Sequence, residues 1–268
     1  TPGTSRFDRK PVRWADGGED DVSGGGAYTH MTLLSETTQG MHNLFRLASR
    51  SSTEGFFYKP RADRELLSEY AAGMIATTGC PSGEVQTWLR LGDYGKAVAS
   101  AAEFRDIFGE GNFFVELMDH GLKLEQRVRD GLLRIAKDLG LPLVATNDLH
   151  YTREADAAAH EALLAVQSGS TMDDPKRFKL DGHEYYVKSP AEMRATWDEK
   201  YSLREACDNT LLIAERCRVA FDESANLMPR FDVPEGETEE SWFVKEVERG
   251  LAFRYPDGIP TEVRERAD

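Results

Sequence analysis

The stretch Leu143-Val144-Ala145-Thr146-Asn147-Asp148-Leu149-His150 decides how the chain is read. Its first half is a short apolar, strand-like run, and its second half ends in Asp148 and His150. On an extended backbone, residues two apart project to the same face, so the two side chains are expected to form a two-ligand arrangement. In parallel α/β sheets and barrels the chemistry collects at the C-terminal ends of strands, where this pair falls. Taken alone, an Asp-x-His is more often a polar strand end facing water.

Working outward, the residues before it spell a helix. Val128, Leu132, Ile135 and Leu139 recur at helical spacing over Leu124 to Leu139, and Gly140 supplies the stop. The same alternation extends in both directions. Strands are expected at Ala27 to Leu34, Met74 to Thr78, Asn112 to Met118 and Tyr185 to Val187. Helices are expected around Met41 to Ser49, at Glu65 to Ala71, and as two pieces over Val85 to Phe108 split near Gly92-Asp93. Others follow at Glu154 to Val166, after the Ser189-Pro190 cap, and at Leu211 to Val219. Strands alternating with helices predict a parallel sheet or barrel, an α/β fold.

The two ends differ from this pattern. Thr1 to Ala27 is polar and glycine-rich without apolar periodicity and reads as a loop. Because residue 1 is Thr in a loop-like setting, the chain is expected to be a piece of a longer protein. Past Phe221 the segment Met228-Pro229-Arg230-Phe231-Asp232-Val233-Pro234 and the acidic run from Glu235 to Glu240 read as a linker. An amphipathic helix then resumes at Ser241 to Arg254, the expected start of another domain.

Composition removes several classes. The 268 residues carry 33 Lys plus Arg against 47 Asp plus Glu, a net charge of −14. That is the wrong sign for gripping phosphate backbones over a broad face, so any nucleic-acid chemistry must be local. No window approaches the roughly 18 apolar residues of a membrane span, so no membrane partner and a cytoplasmic location are expected. The three cysteines Cys80, Cys207 and Cys217 are scattered and read as reduced thiols, the latter two as packing residues. Gly-rich phosphate loops, a GxSxG elbow and a HExxH helix are all absent from the sequence.

Two more strand ends carry potential ligands. Cys80 follows the Met74 strand in Thr77-Thr78-Gly79-Cys80-Pro81-Ser82-Gly83-Glu84. A helix starting just beyond would favour its thiolate and suit it to a metal, where most free cysteines are merely small buried hydrophobes. His30, in Ala27-Tyr28-Thr29-His30-Met31-Thr32-Leu33-Leu34, shares a polar strand face with Tyr28 and Thr32. Singly it is more often a hydrogen-bonded structural histidine. Cys, His and Asp-x-His together make a plausible N/S/O set for zinc, manganese or iron. His120 either lines the same mouth or is a turn residue before Gly121, and His42, His160 and His183 read as structural or exposed.

These motifs resemble, in order, the polymerase and histidinol phosphatase (PHP) domain found in the bacterial replicative DNA polymerase III alpha-subunit family. The match runs through the His30, Cys80 and Asp148-x-His150 motifs and through Phe114-Val115-Glu116-Leu117-Met118-Asp119-His120-Gly121. It continues through Tyr185-Tyr186-Val187-Lys188-Ser189-Pro190 and Cys207-Asp208-Asn209-Thr210. The resemblance implies a distorted β/α barrel of the PHP type over residues 1–222, lacking its first strands, a linker over 223–240, and the start of the polymerase core at 241–268. It further implies that His30, Cys80, Asp148 and His150 are metal ligands, with the family's remaining ligands upstream of residue 1. The implied metal is divalent, zinc or manganese, with magnesium at a polymerase site outside this chain.

Three functions follow as expectations. One is a segment of a DNA-directed DNA polymerase, working with DNA, deoxynucleoside triphosphates, a sliding clamp and other replisome subunits, with metal-dependent 3′–5′ exonuclease activity in this domain. The second is a metal-stabilised scaffold for the polymerase core or for a proofreading subunit. The third is a free-standing phosphoesterase, against which the tail after Phe221 argues.

Overall fold

A computed structural model describes residues 4–11, 14, 26–224 and 228–268. The loop expected over residues 1–27 therefore lies, at 1–3, 12–13 and 15–25, outside the described residues. The chain divides into two compact units, Thr1–Phe221 and Asp222–Asp268.

In the first unit, strands β1 (Leu33–Ser35), β2 (Met74–Thr77), β3 (Phe113–Leu117) and β4 (Leu143–Ala145) form one sheet in the order β1-β2-β3-β4. The β2–β3 and β3–β4 pairs are parallel, with Ala76 opposite Phe113 and Val115 opposite Leu143. The β1–β2 pair is antiparallel, Leu33 opposite Ala76, which corrects the all-parallel expectation. Among the described residues the sheet is not closed into a barrel. The strand expected at Ala27 to Leu34 is shorter and later, because His30 leaves the ladder for a single parallel bridge to Gly83. Tyr185 to Val187 forms no strand; it runs beside Tyr151, hydrogen-bonding back to His150 and Thr152.

Strand alternation sorts the side chains into two layers. Met74 and Ala76 of β2, Phe113, Val115 and Leu117 of β3, and Ala145 of β4 face one apolar cluster. It is completed by α3 (Glu84–Arg90), α4 (Tyr94–Phe108) and α5 (Lys123–Leu139), through residues such as Trp88, Phe104, Leu132 and Ile135. The helical spacing that predicted α5 is the stripe that meets the sheet. Ile75, Phe114 and Val144 point the other way, against Ile213 of α8 (Arg204–Arg216). β2 and β3 are buried along their whole length, as strands covered on both faces must be.

Local signals explain the remaining elements. Thr37 caps α1 (Thr38–Thr53) by accepting from the Gly40 N–H at 3.0 Å, and Asp63 caps α2 (Arg64–Tyr70) through the Leu66 N–H. A 3₁₀ turn at Glu154–Asp156 leads into α6 (Ala157–Ser168). Ser189 and Glu192 cap α7 (Pro190–Arg194) reciprocally, as the Ser-Pro signal predicts, and a π-helical turn at Ala195–Lys200 buries Trp197. In the second unit, Thr238 caps α9 (Glu239–Arg254), and α10 (Thr261–Ala267) is tied to it by Arg264 and Glu248 at 2.6 Å. No described helix is long and apolar enough to cross a membrane.

Candidate metal centre

Beyond Ile75, Phe114 and Val144, the same sheet face continues into Thr77, Glu116 and Thr146 at the C-terminal strand ends. There the apolar layer gives way to an open cleft of about 820 Å³, whose lining includes His30, Cys80, Glu116, Thr146, Asp148 and Lys188.

His30 and Cys80 meet because two glycines let two turns interlock. Gly79 has φ +76°, and a Cβ there would stand 3.1 Å from the His30 carbonyl oxygen. A Cβ on Gly83 would lie 2.2 Å from the Thr78 carbonyl oxygen. With neither present, the His30 N–H donates to the Ser82 carbonyl at 3.0 Å, and Cys80 Sγ lies 3.6 Å from His30 Nδ1. The Tyr28 ring stacks on His30 with centroids 5.8 Å apart, fixing its plane.

The separation is itself a fit test. With metal–sulfur and metal–nitrogen distances of about 2.3 and 2.0–2.1 Å, two ligands on one tetrahedral zinc stand about 3.6 Å apart. The pair matches that spacing, and the half-buried carboxylate of Asp148 lines the same cleft. The donor set of nitrogen, sulfur and oxygen suits a divalent cation. Among the described residues, however, no group of three or more His, Cys, Asp or Glu side chains is close enough to enclose an ion.

Two expectations are corrected here. Burial pushes the Cys80 thiol up, and the charges of Asp148 and Glu116 add to that, outweighing hydrogen bonds from Ser82. The helix-end effect that was to favour the thiolate does not prevail. Asp148 and His150 do not share a strand face either, because Asp148 has φ +39° and breaks the extended backbone. His150 consequently lies outside the cleft lining. Its Nδ1–H donates to the Asp148 carbonyl at 2.7 Å, and its ring meets His160 and Tyr185 edge-on at 5.6 and 5.4 Å.

The loop carrying both residues is held from below by groups that no motif identified. Asn147 is buried, and its Nδ2 donates to the carbonyls of Glu184 and Tyr186 at 2.7 and 2.8 Å. Its own carbonyl accepts from His120 Nε2 at 3.0 Å, while His120 Nδ1 faces Glu125 Oε1 at 2.5 Å. Both ring nitrogens thus donate to acceptors, the pattern of an imidazolium. Burial alone would lower the His120 pKa, but the Glu125 carboxylate and the Asn147 carbonyl raise it above the ordinary histidine value. His120 is a buried clamp stacked on Tyr185 at 4.2 Å, not a cleft-lining residue. Its neighbour Asp119 ties down Lys200, Tyr201 and the Gly121 N–H. Burial works to raise the Asp119 carboxyl, yet these partners and Arg129 hold it down at about 2.

Glu116 is the other group that motif reading passed over. It is 4% exposed, and its two oxygens accept from the hydroxyls of Thr77, Thr32 at 3.4 Å and Thr146 at 2.6 Å. Thr77 and Thr146 flank it because all three occupy the same sheet face, stepped from strand to strand: Thr77 stands opposite Phe114, and Glu116 opposite Val144. A second cleft of about 660 Å³, also touching His30, contains Arg6, Arg61 and Arg64. Arg6 and Arg64 are paired with Asp63 and Glu84, and Arg61 donates to backbone carbonyls including that of Gly55, so these cations serve the fold.

Residues 7–120 match the PHP domain family, a span that contains His30, Cys80, Glu116 and His120. The chain is 54% identical to DNA polymerase III subunit alpha of Mycobacterium leprae (strain TN), over 98% of this chain and 23% of that protein. It is 44% identical to the same subunit of Thermus aquaticus over 95% of the chain, and 35% identical to that of Treponema pallidum (strain Nichols) over 98%. The chain thus spans less than a quarter of the length of these relatives.

Proposed function

Because the chain contains a PHP domain and belongs, along nearly its whole length, with DNA polymerase III alpha subunits, we propose that it is the PHP-bearing part of a replicative DNA polymerase. In this reading it works in the cytoplasm on DNA and deoxynucleoside triphosphates through the polymerase, beside a sliding clamp and other replisome subunits. Residues 1–222 are the PHP domain, 223–240 a linker, and 241–268 the entry to the polymerase core, whose magnesium site lies outside this chain.

We further propose that the cleft holds a divalent metal, zinc or manganese, with ligands from His30, Cys80 and Asp148, joined by His150 only if its ring turns from the Asp148 carbonyl toward the cleft, and that it removes mispaired 3′ ends. The observation that carries this is the 3.6 Å separation of His30 Nδ1 and Cys80 Sγ. When bound, such an ion lowers the pKa of a coordinated water and stabilises charge developing on a phosphodiester. The residues supply the rest. His30 is oriented by Tyr28, and the Asp148 loop is held by Asn147 and His120. Lys188, ion-paired with Glu184 at 2.9 Å, places a positive charge at the cleft rim where a phosphate would approach.

The test is metal content and 3′–5′ cleavage of a mismatched primer by the full-length subunit, with Asp148→Asn as control. Cleavage that needs metal and is lost in the variant supports the exonuclease; cleavage unchanged by the substitution overturns it. A second reading, a metal-stabilised docking module, is favoured by Leu163 and Val166 of α6, which are 61% and 78% exposed.

A further inference from the structure

Glu116 is a buried carboxylate that lines the cleft without being one of the residues assigned to the metal. Three hydroxyls donate to it and, among the described residues, no lysine or arginine pairs with it. The cations that share a cavity with it are engaged elsewhere: Lys188 with Glu184, and Arg129 with Asp119. Burying an ion without a counter-ion is costly, and hydroxyl dipoles offset only part of that cost. A fold that needed only a strand staple at this point could use a neutral amide, which fills the same volume and can bond the threonines through its accepting oxygen on one side and its donating NH2 on the other.

We infer that Glu116 is a charge-supplying, positioning residue of the metal centre: it attracts and retains the divalent cation at the His30–Cys80 pair. The inference rests on the metal reading above and adds a residue outside the set of four ligands. The three threonines hold this carboxylate beneath the cleft, so its negative potential is directed into the space His30, Cys80 and Asp148 line. A divalent ion there meets two carboxylates, Glu116 and Asp148, and no unpaired cation among the described lining residues.

The test uses the full-length subunit and two readouts independent of cleavage: thermal unfolding with and without Mn²⁺ or Zn²⁺, and metal affinity by chelator competition. Glu116→Gln is expected to leave the metal-free Tm unchanged or higher, and to weaken metal binding roughly tenfold or more. Glu116→Asp, which keeps the charge and shortens the reach to the threonines, is expected to lower the metal-free Tm yet bind metal within about threefold of wild type. A glutamine variant that binds metal as tightly as wild type overturns the inference. Should that variant fail to fold, the aspartate variant decides, because metal affinity falling in step with its stability reduces Glu116 to a strand staple. Wild-type protein with neither a metal-dependent Tm shift nor measurable affinity instead refutes the metal centre itself, and this inference with it.

Discussion

The Nε2–H of His120 donates to the backbone carbonyl of Asn147 across 3.0 Å, so a histidine after β3 holds the loop after β4. The bond matters because Asp148 follows immediately with φ +39°, a conformation that a non-glycine residue keeps only when its surroundings enforce it.

The clamp is pH-dependent. Because the folded pKa of His120 is raised, its stabilising contribution is complete below the ordinary histidine value of 6.5 and is lost as pH rises through the folded value. Glu125 and Asp148 act on it, and the same two with Asp181 and Tyr151 act on Tyr185, the ring it stacks on. Urea denaturation from pH 6 to pH 9 should show wild type losing its advantage over His120→Gln as pH increases. A difference that stays constant with pH would contradict the imidazolium assignment.

Asp119 has the opposite sign. Its carboxyl is held at about 2, below the ordinary aspartate value of 3.8, so its contribution is present above 3.8 and disappears as pH falls through about 2. Asp119→Asn should cost ~2–3 kcal/mol at neutral pH by loosening Lys200, Tyr201 and Arg129 together. Shifts of the urea midpoint at pH 7 and at pH 3 test this, the deficit being smaller at the acid end.

The His30–Cys80 pair should bind metal as a unit. In the full-length protein loaded with Co²⁺, a sulfur-to-metal charge-transfer band is expected and should vanish in Cys80→Ser. His30→Ala should weaken binding about as much, and the double variant little more than either alone, because ligands on one ion are not additive. Additive losses would place the two residues on different ions.

Gly79 tests the interlocked turns. Replacing it with Ala sets a Cβ against the His30 carbonyl at φ +76° and should cost ~1–2 kcal/mol. The Co²⁺ spectrum of Gly79→Ala should weaken more than its Tm does, since the strain falls on the His30–Cys80 spacing.

Much of the frame was legible from residue order. Periodicity located α5 and its stop at Gly140, the break between α3 and α4, the Ser189 cap, and the apolar strands β2, β3 and β4. What it missed is informative. The Asp148-x-His150 pair was read on an extended backbone, and the expected shared face vanished because the chain bends at Asp148. Glu116 sits in an apolar strand, and His120 pairs with Glu125 five residues on; neither follows a ligand spacing that local sequence could reveal.

The sequence by itself determined most of the helices, the apolar strands β2 to β4, the net charge of −14 and the PHP resemblance, because these depend on local periodicity, composition and motif order. Only the tertiary structure decided that β1 runs antiparallel, that His30 meets Cys80 at metal-ligand spacing, and that the Glu116 carboxylate, paired with no lysine or arginine among the described residues, lies beneath them. Those are relations between residues 50 or more positions apart, or across strands joined by helices, and no local pattern encodes a distance that packing alone sets.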